Sequence, residues 1–311
     1  MSVGTAAEVT DATGRRVVIP DRPERVLPAG PPAAALLAAI APGQMVGFPE
    51  PTSSATRDAL APQAATLPQV PRLTGTTGTT TAIQALHPDL IIDYGAVSPR
   101  YQQLARETQA QTGIPTLLFD GSLDQIPAVA RMIGTILHQP ERAETVALSA
   151  EAILALPPPS GAHPRVLYAR GPDGTLVASP NTDVTEVFSR LRWQVVAPEG
   201  KGMFRRTTID AIRALDPDII VVGDPAAKHV LTSPAWAGLT AVREGHVYVA
   251  PAIPFGWIEE PPSINRLAGL AWLHGANPLT LAALFNANIY GRVLTRNQLV
   301  SVASSTSVVK P

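Results

Sequence analysis

Two stretches decide the fold: AIQALHPDLII at residues 82–92 and AIRALDPDIIV at residues 211–221. Each reads as a short helix that a Pro-Asp pair breaks, followed by an apolar, β-branched run of the kind buried in parallel sheets. A second echo lies upstream of each, RVLPA at residues 25–29 against RVLYA at 165–169. The offsets are similar, 129 residues from Ala82 to Ala211 and 140 from Arg25 to Arg165. Two matched pairs in the same order make one structural unit that occurs twice.

Working outward, each half alternates strands with helices, which implies an α/β chain with two Rossmann-like lobes built on parallel sheets. Strands are expected near Arg25–Ala29, Met45–Gly47, Leu90–Asp93 and Thr116–Phe119, then near Val166–Ala169, Gln194–Val196, Ile219–Val222 and Val247–Val249. Between the halves, residues 123–156 are helical apart from Pro140, and Pro157, Pro158 and Pro159 end them. Ile126, Val129, Ile133 and Leu137 keep the spacing of a packed helix face. The expected organisation is an N-terminal lobe (1–122), a long helical connection (123–159) that limits hinge motion, and a C-terminal lobe (160–311). A ligand cleft is expected between the lobes.

Composition narrows the function. The 311 residues are 45% hydrophobic and 16% charged, enough for two cores. The net charge of −1 comes with no basic block, which argues against nucleic acid or anionic membrane as a partner. There is no cysteine, so disulfides, thiolate metal sites, iron–sulfur clusters and cysteine nucleophiles are excluded. The longest apolar run, Ala33 to Ala41, is too short to span a bilayer. Residues 1–8 lack the charged start and apolar stretch of a secretory signal, so an exported protein would have shed one before this Met1.

The chain resembles the class III, or helical-backbone, periplasmic binding proteins for ferric siderophores, haem, cobalamin and related metal ligands. The resemblance runs from VTDATGRRVVIP (9–20), similar to that family's opening hairpin, and PERVL (23–27) through LHPDLIID (86–93) and QTGIP (111–115). It continues with PERA (140–143) and closes on WIEEPPSINRLAGLAWL (257–273). It implies an extracytoplasmic substrate-binding protein of an ABC importer: periplasmic or lipid-anchored, monomeric, non-enzymatic, without a resident cofactor, and delivering a small metal complex to a permease and ATPase. A molybdate- or tungstate-binding protein of the same fold is the alternative. A cytosolic metallocofactor enzyme or sensor with a related fold is the alternative from another class.

Ligands of open α/β sheets bind at the carboxyl ends of the strands, and this rule selects candidates independently of the resemblance. In the first lobe they are Pro31, which with Pro32 opens a helix, then Phe48 and Tyr94, whose ring should reach the cleft. The run TGTTGTTT (74–81) lacks the GK[ST] ending of a phosphate loop; it reads as a turn with a Thr N-cap, and Thr77 is its candidate contact. In the second lobe they are Arg170, suited to bidentate anion contact, Asn181, Phe255 and Trp257, a stacking platform. Glu259 and Glu260, neighbours in sequence, read as loop surface, and Trp272 as core. The resemblance, not the strand-end rule, implies acidic residues that dock the permease, and Glu50 in the first lobe and Glu199 in the second are the candidates. The six histidines show no metal-site spacing, so no bare-metal site is expected.

Overall fold

The fold is given by a computed structural model that describes residues 6–73, 79–161, 163–224 and 233–303. The chain divides into two compact units. One comprises residues up to Leu154 together with Phe285–Val293, and the other Ala155–Leu284 with the residues from Leu294.

The first unit opens with the expected hairpin, β1 (Ala6–Thr10) antiparallel to β2 (Arg16–Pro20). Asp11 at its turn is buried and organises it. Its carboxylate accepts from Thr13 N at 2.9 Å and Arg15 Nη2 at 2.7 Å, and Arg15 in turn donates to Thr116 O. Burial works to raise the Asp11 carboxyl, but these hydrogen bonds outweigh it and hold it below the usual carboxylate range.

The core of this unit is a parallel sheet of β3 (Val26–Pro28), β4 (Leu90–Gly95) and β5 (Thr116–Asp120), in which Val26 faces Leu90 and Ile92 faces Leu117. Leu90, Ile91 and Ile92 are fully buried because both faces of the sheet are covered. The strand expected at Met45–Gly47 is reduced to a single bridge between Met45 and Val26. Past that bridge the chain leaves β3, and Phe48 exchanges backbone bonds with Pro68 and Val70 instead.

The second unit carries β6 (Arg165–Arg170), β7 (Leu176–Ala178), β8 (Gln194–Val195), β9 (Phe204–Arg206), β10 (Ile219–Val222) and β11 (Val247–Val249). They run in the order β11-β10-β6-β7-β9, with β8 also on β6. The pairs β11–β10, β10–β6 and β6–β8 are parallel, as the sequence implies. The pairs β6–β7 and β7–β9 are antiparallel and were not foreseen. Three residues each are too few to show alternation.

The repeat in the sequence has a physical basis. Both helix ends run into a residue in the left-handed conformation, His87 at φ 48° two residues past the C-cap Ala85 and Asp216 at φ 41° at the C-cap itself, and the following proline cannot continue the helix. The aspartate after that proline then clips the start of the neighbouring strand. Asp89 Oδ2 accepts from Glu24 N at 2.8 Å, and Asp89 N donates to Arg25 O at 2.9 Å. Asp218 Oδ2 accepts from Arg165 N at 2.7 Å, and Asp218 N donates to Arg165 O at 2.9 Å. Arg25 and Arg165 return the contact, donating to His87 O and Asp216 O. One clip, made twice, sets the register of β3 on β4 and of β6 on β10.

Residues 123–159, expected as one long helical connection, hold two helices, Ile126–Ile136 and Pro140–Leu154, and both belong to the first unit. The break falls at His138, at φ 53°, while Pro140 opens the second helix, where its missing N–H costs nothing. The pair packs closely. A Cβ on Gly134 would overlap that of Ala143, and Arg131 bridges Glu144 at 2.7 Å and Glu151 at 2.5 Å.

If the clips set the register, Asp89→Ala and Asp218→Ala should each cost about 1 kcal/mol in urea unfolding, while Asp→Asn should recover part of it. Equal stability of the alanine variants and the wild type would assign the register to side-chain packing alone.

Candidate functional site

The C-terminal end of β6 gathers a polar cluster in the second unit. Tyr168 and Arg170 alternate with Ala169 along the strand, and Gly223 follows β10 beside it, its N–H bonded to Ala169 O at 2.9 Å. A Cβ on Gly223 would overlap the Tyr168 hydroxyl, so glycine is what lets that phenol lie there. Tyr168 is buried, and its hydroxyl donates to Glu259 Oε1 at 3.0 Å. Arg170 Nε meets the same Glu259 oxygen at 2.9 Å, and Arg170 Nη2 reaches Glu260 Oε1. The guanidinium carbon lies over the Phe204 ring, 4.8 Å from its centre.

Burial differs sharply within this cluster. Glu259 is 4% exposed, against side-chain exposures of 27% for Arg170 and 35% for Glu260. Burial pushes the Glu259 carboxyl above the usual range, against the pull of Arg170 and Tyr168. Burial, reinforced by the Glu259 charge, also holds Tyr168 well above the ordinary phenol value, so it acts as a hydrogen-bond donor.

The loop carrying the two glutamates is fixed from behind. Asn265, itself buried, donates through Nδ2 to Pro261 O at 2.9 Å and to Gly256 O. Arg266 is fully buried and donates to Asp183 O at 2.9 Å and to Glu186 at 2.8 Å. Thr182 and Thr185 form the capping box at the turn that carries Asp183. These residues hold the frame for the cluster.

Several sequence expectations need correction. Glu259 and Glu260 are not loop surface pointing apart: both converge on Arg170. The signal was their place after a strand end opposite an arginine, which adjacency in sequence hid. Trp257 offers no open stacking face. Its ring is 2% exposed and stands edge-on to Trp272, with centroids 6.3 Å apart. Tyr94 is also buried, its hydroxyl 3.5 Å from Gly121 O, and Phe48 is buried. Phe255 is half-buried, and Asn181 is exposed at φ 58°.

In the first unit, Pro31 opens the helix Pro31–Ile40 as expected. Thr77 lies outside the described residues, while Thr79 caps the helix Thr80–Gln84 by accepting from Ala82 N. Glu50 is exposed and paired with Arg72 at 2.8 Å, and Glu199 is exposed. One group went unnoticed in the sequence. Asp93, beside Tyr94 on the central strand, is 7% exposed and accepts only from Tyr94 N, at 2.9 Å, among the described residues. Burial raises its carboxyl to about 6. Among the described residues no group of three or more His, Asp or Glu stands together as a metal site, and no helix is long and apolar enough to cross a membrane.

This architecture is that of a solute-binding protein. The chain matches the periplasmic binding protein family over residues 31–254 and belongs to it. Among solved structures it resembles an ABC transporter solute binding protein from Sulfurospirillum deleyianum, with a TM-score of 0.83 and 22% identity over 96% of this chain and 99% of that one. It also resembles the molybdate periplasmic binding protein MolA of Haemophilus influenzae, with a TM-score of 0.69 and 17% identity over 93% and 99%. A periplasmic heme binding protein from Pseudomonas aeruginosa follows with a TM-score of 0.58 and 21% identity over 88% and 94%. No curated protein matches the chain significantly.

Two measurements test these placements. Because the folded Asp93 binds its proton more tightly than the unfolded chain does, the contribution of this one group is full below about pH 4 and is lost as pH rises through about 6. The full cost is roughly 3 kcal/mol above that window. The stability of Asp93→Asn relative to wild type should therefore grow by about that amount between pH 4 and pH 8 in urea titrations. A constant difference would place the cost elsewhere. Trp257→Ala should lower stability by about 3–5 kcal/mol, as removal of a core aromatic does. An unchanged melting temperature would return Trp257 to the rim.

Proposed function

We propose that this protein is the extracytoplasmic, periplasmic substrate-binding component of an ABC importer, that it captures a small metal complex, and that it passes the complex to a permease and ATPase. The observation that carries the reading is the periplasmic binding protein family match across the repeated parallel-sheet units. The second-unit cluster supports it chemically. A guanidinium held between a phenyl face and a buried carboxylate, at a strand end, is positioned to meet an anionic group on a ligand. Buried aromatics account for Trp257 and Tyr94 without a stacking role, so recognition rests on Arg170 and its neighbours.

Catalysis plays no part in this reading. The glutamates are tied to Arg170 and Tyr168 rather than poised as an acid and base. Glu50 and Glu199, both exposed, remain the residues proposed to meet the permease. Replacing both with Ala should impair transport while leaving affinity in solution intact.

The ligand is sought by native mass spectrometry and visible absorption of the protein purified from its own cells. A bound, visibly absorbing complex is the expected result. A bound molybdate or tungstate, which is colourless, would move the ligand class to an oxyanion. Protein that carries no small ligand and fails to stimulate its neighbouring permease and ATPase would overturn the reading. Once the ligand is known, Arg170→Ala in a Glu259→Gln background should weaken its binding about ten- to a hundredfold. The background removes the buried carboxylate that the arginine would otherwise leave unpaired.

A further inference from the structure

Arg170 is held unequally on its two sides. On the Nε side it meets Glu259, which is 4% exposed and backed by the Tyr168 hydroxyl at 3.0 Å. Withdrawing the arginine from there would strand a buried carboxylate, so that contact persists. On the Nη2 side it meets Glu260, whose side chain is 35% exposed. An ion pair with one partner so open to water is weak and easily exchanged. The Phe204 ring, 4.8 Å from the guanidinium carbon, fixes the plane in which the exchange takes place.

We propose that Glu260 occupies Arg170 in place of the ligand, as an internal competitor whose carboxylate stands where an anionic group of the ligand binds. The inference rests on the reading of Arg170 as a ligand contact, and it names the ligand chemistry: a carboxylate or comparable oxyanion group able to accept from the guanidinium edge. Two carboxylates cannot share that edge without repulsion, so arrival of the ligand group turns Glu260 out to solvent. Glu259 and Tyr168 do not move, and they act as positioning residues that keep the Nη edge facing the ligand. The arrangement also keeps a cationic side chain from standing bare at a strand end when no ligand is present. Asn265, which donates to Pro261 O beside Glu260, holds the loop so that only the side chain has to turn.

The sign of one substitution distinguishes this from an ordinary contact. Glu260→Gln removes the competing charge, so it should tighten binding of anionic probes, by about fivefold to tenfold. Ferric citrate and sodium molybdate serve as probes, read by isothermal titration calorimetry on the full chain. Arg170→Gln in the Glu259→Gln background should abolish that gain. Glu260→Asp, with a shorter reach to Arg170, should fall between wild type and Glu260→Gln. Unchanged or weaker binding by Glu260→Gln overturns the proposal, as does failure of both probes to bind wild type and variant alike. The importer reading is decided separately, by whether the protein purified from its own cells carries a small ligand. Glu260 is partly exposed, so its substitution should leave the melting temperature unchanged, and that measurement accompanies the titrations.

Discussion

Strands that pair in parallel come from distant parts of the chain, and nothing in a tight turn fixes how they align. Here a carboxylate does that work. Asp89 and Asp218 each follow a proline that ends a helix, and each takes the backbone N–H at the start of the strand beside it. The helix end, the break and the clip are consecutive in sequence, so one short segment specifies a strand's start and its partner together. The downstream strand ends inherit their alignment from this point. Tyr94 stands opposite Phe119, and Ala169 opposite Val222, because the register was set several residues earlier.

With the register fixed, the chemistry of the second unit follows from electrostatics. A carboxylate as buried as Glu259 persists beside a cation and a donor, and β6 supplies both, Arg170 from its last position and Tyr168 two residues before. Alternation along a strand would normally place residues two apart on the same face, and the cluster uses that rule. Gly223 makes the space, and Asn265 and Arg266 hold the opposing loop from within the unit. Arg170 is thus held in place by a buried carboxylate and yet stays partly exposed.

The first unit holds the opposite kind of carboxylate. Asp93 is buried with one backbone donor and no cation beside it among the described residues, so it weakens the fold at neutral pH. A cost of this kind inside an otherwise apolar strand marks a place where stability and another requirement diverge.

The amino-acid sequence by itself determined the class of fold. The repeated Pro-Asp segments, the β-branched runs and the helix-opening prolines are local signals, and local signals act over a few residues whatever surrounds them. It also selected Arg170, because the position after a strand end is a matter of order along the chain. What lies around Arg170 was decided only by the tertiary structure. Glu259 and Glu260 sit some ninety residues away, and burial, which turns one of them into a fixed partner and leaves the other exchangeable, is a property of packing. The same holds for Trp257 and Tyr94. Their place after strand ends suggested open rings, and the neighbouring chain covered them. Asp93 escaped notice for the same reason: the sequence puts it at the end of an expected strand, Leu90–Asp93, but does not show whether its side chain is enclosed. Pairing of β4 with β5 carries the strand on to Gly95 and encloses its side chain.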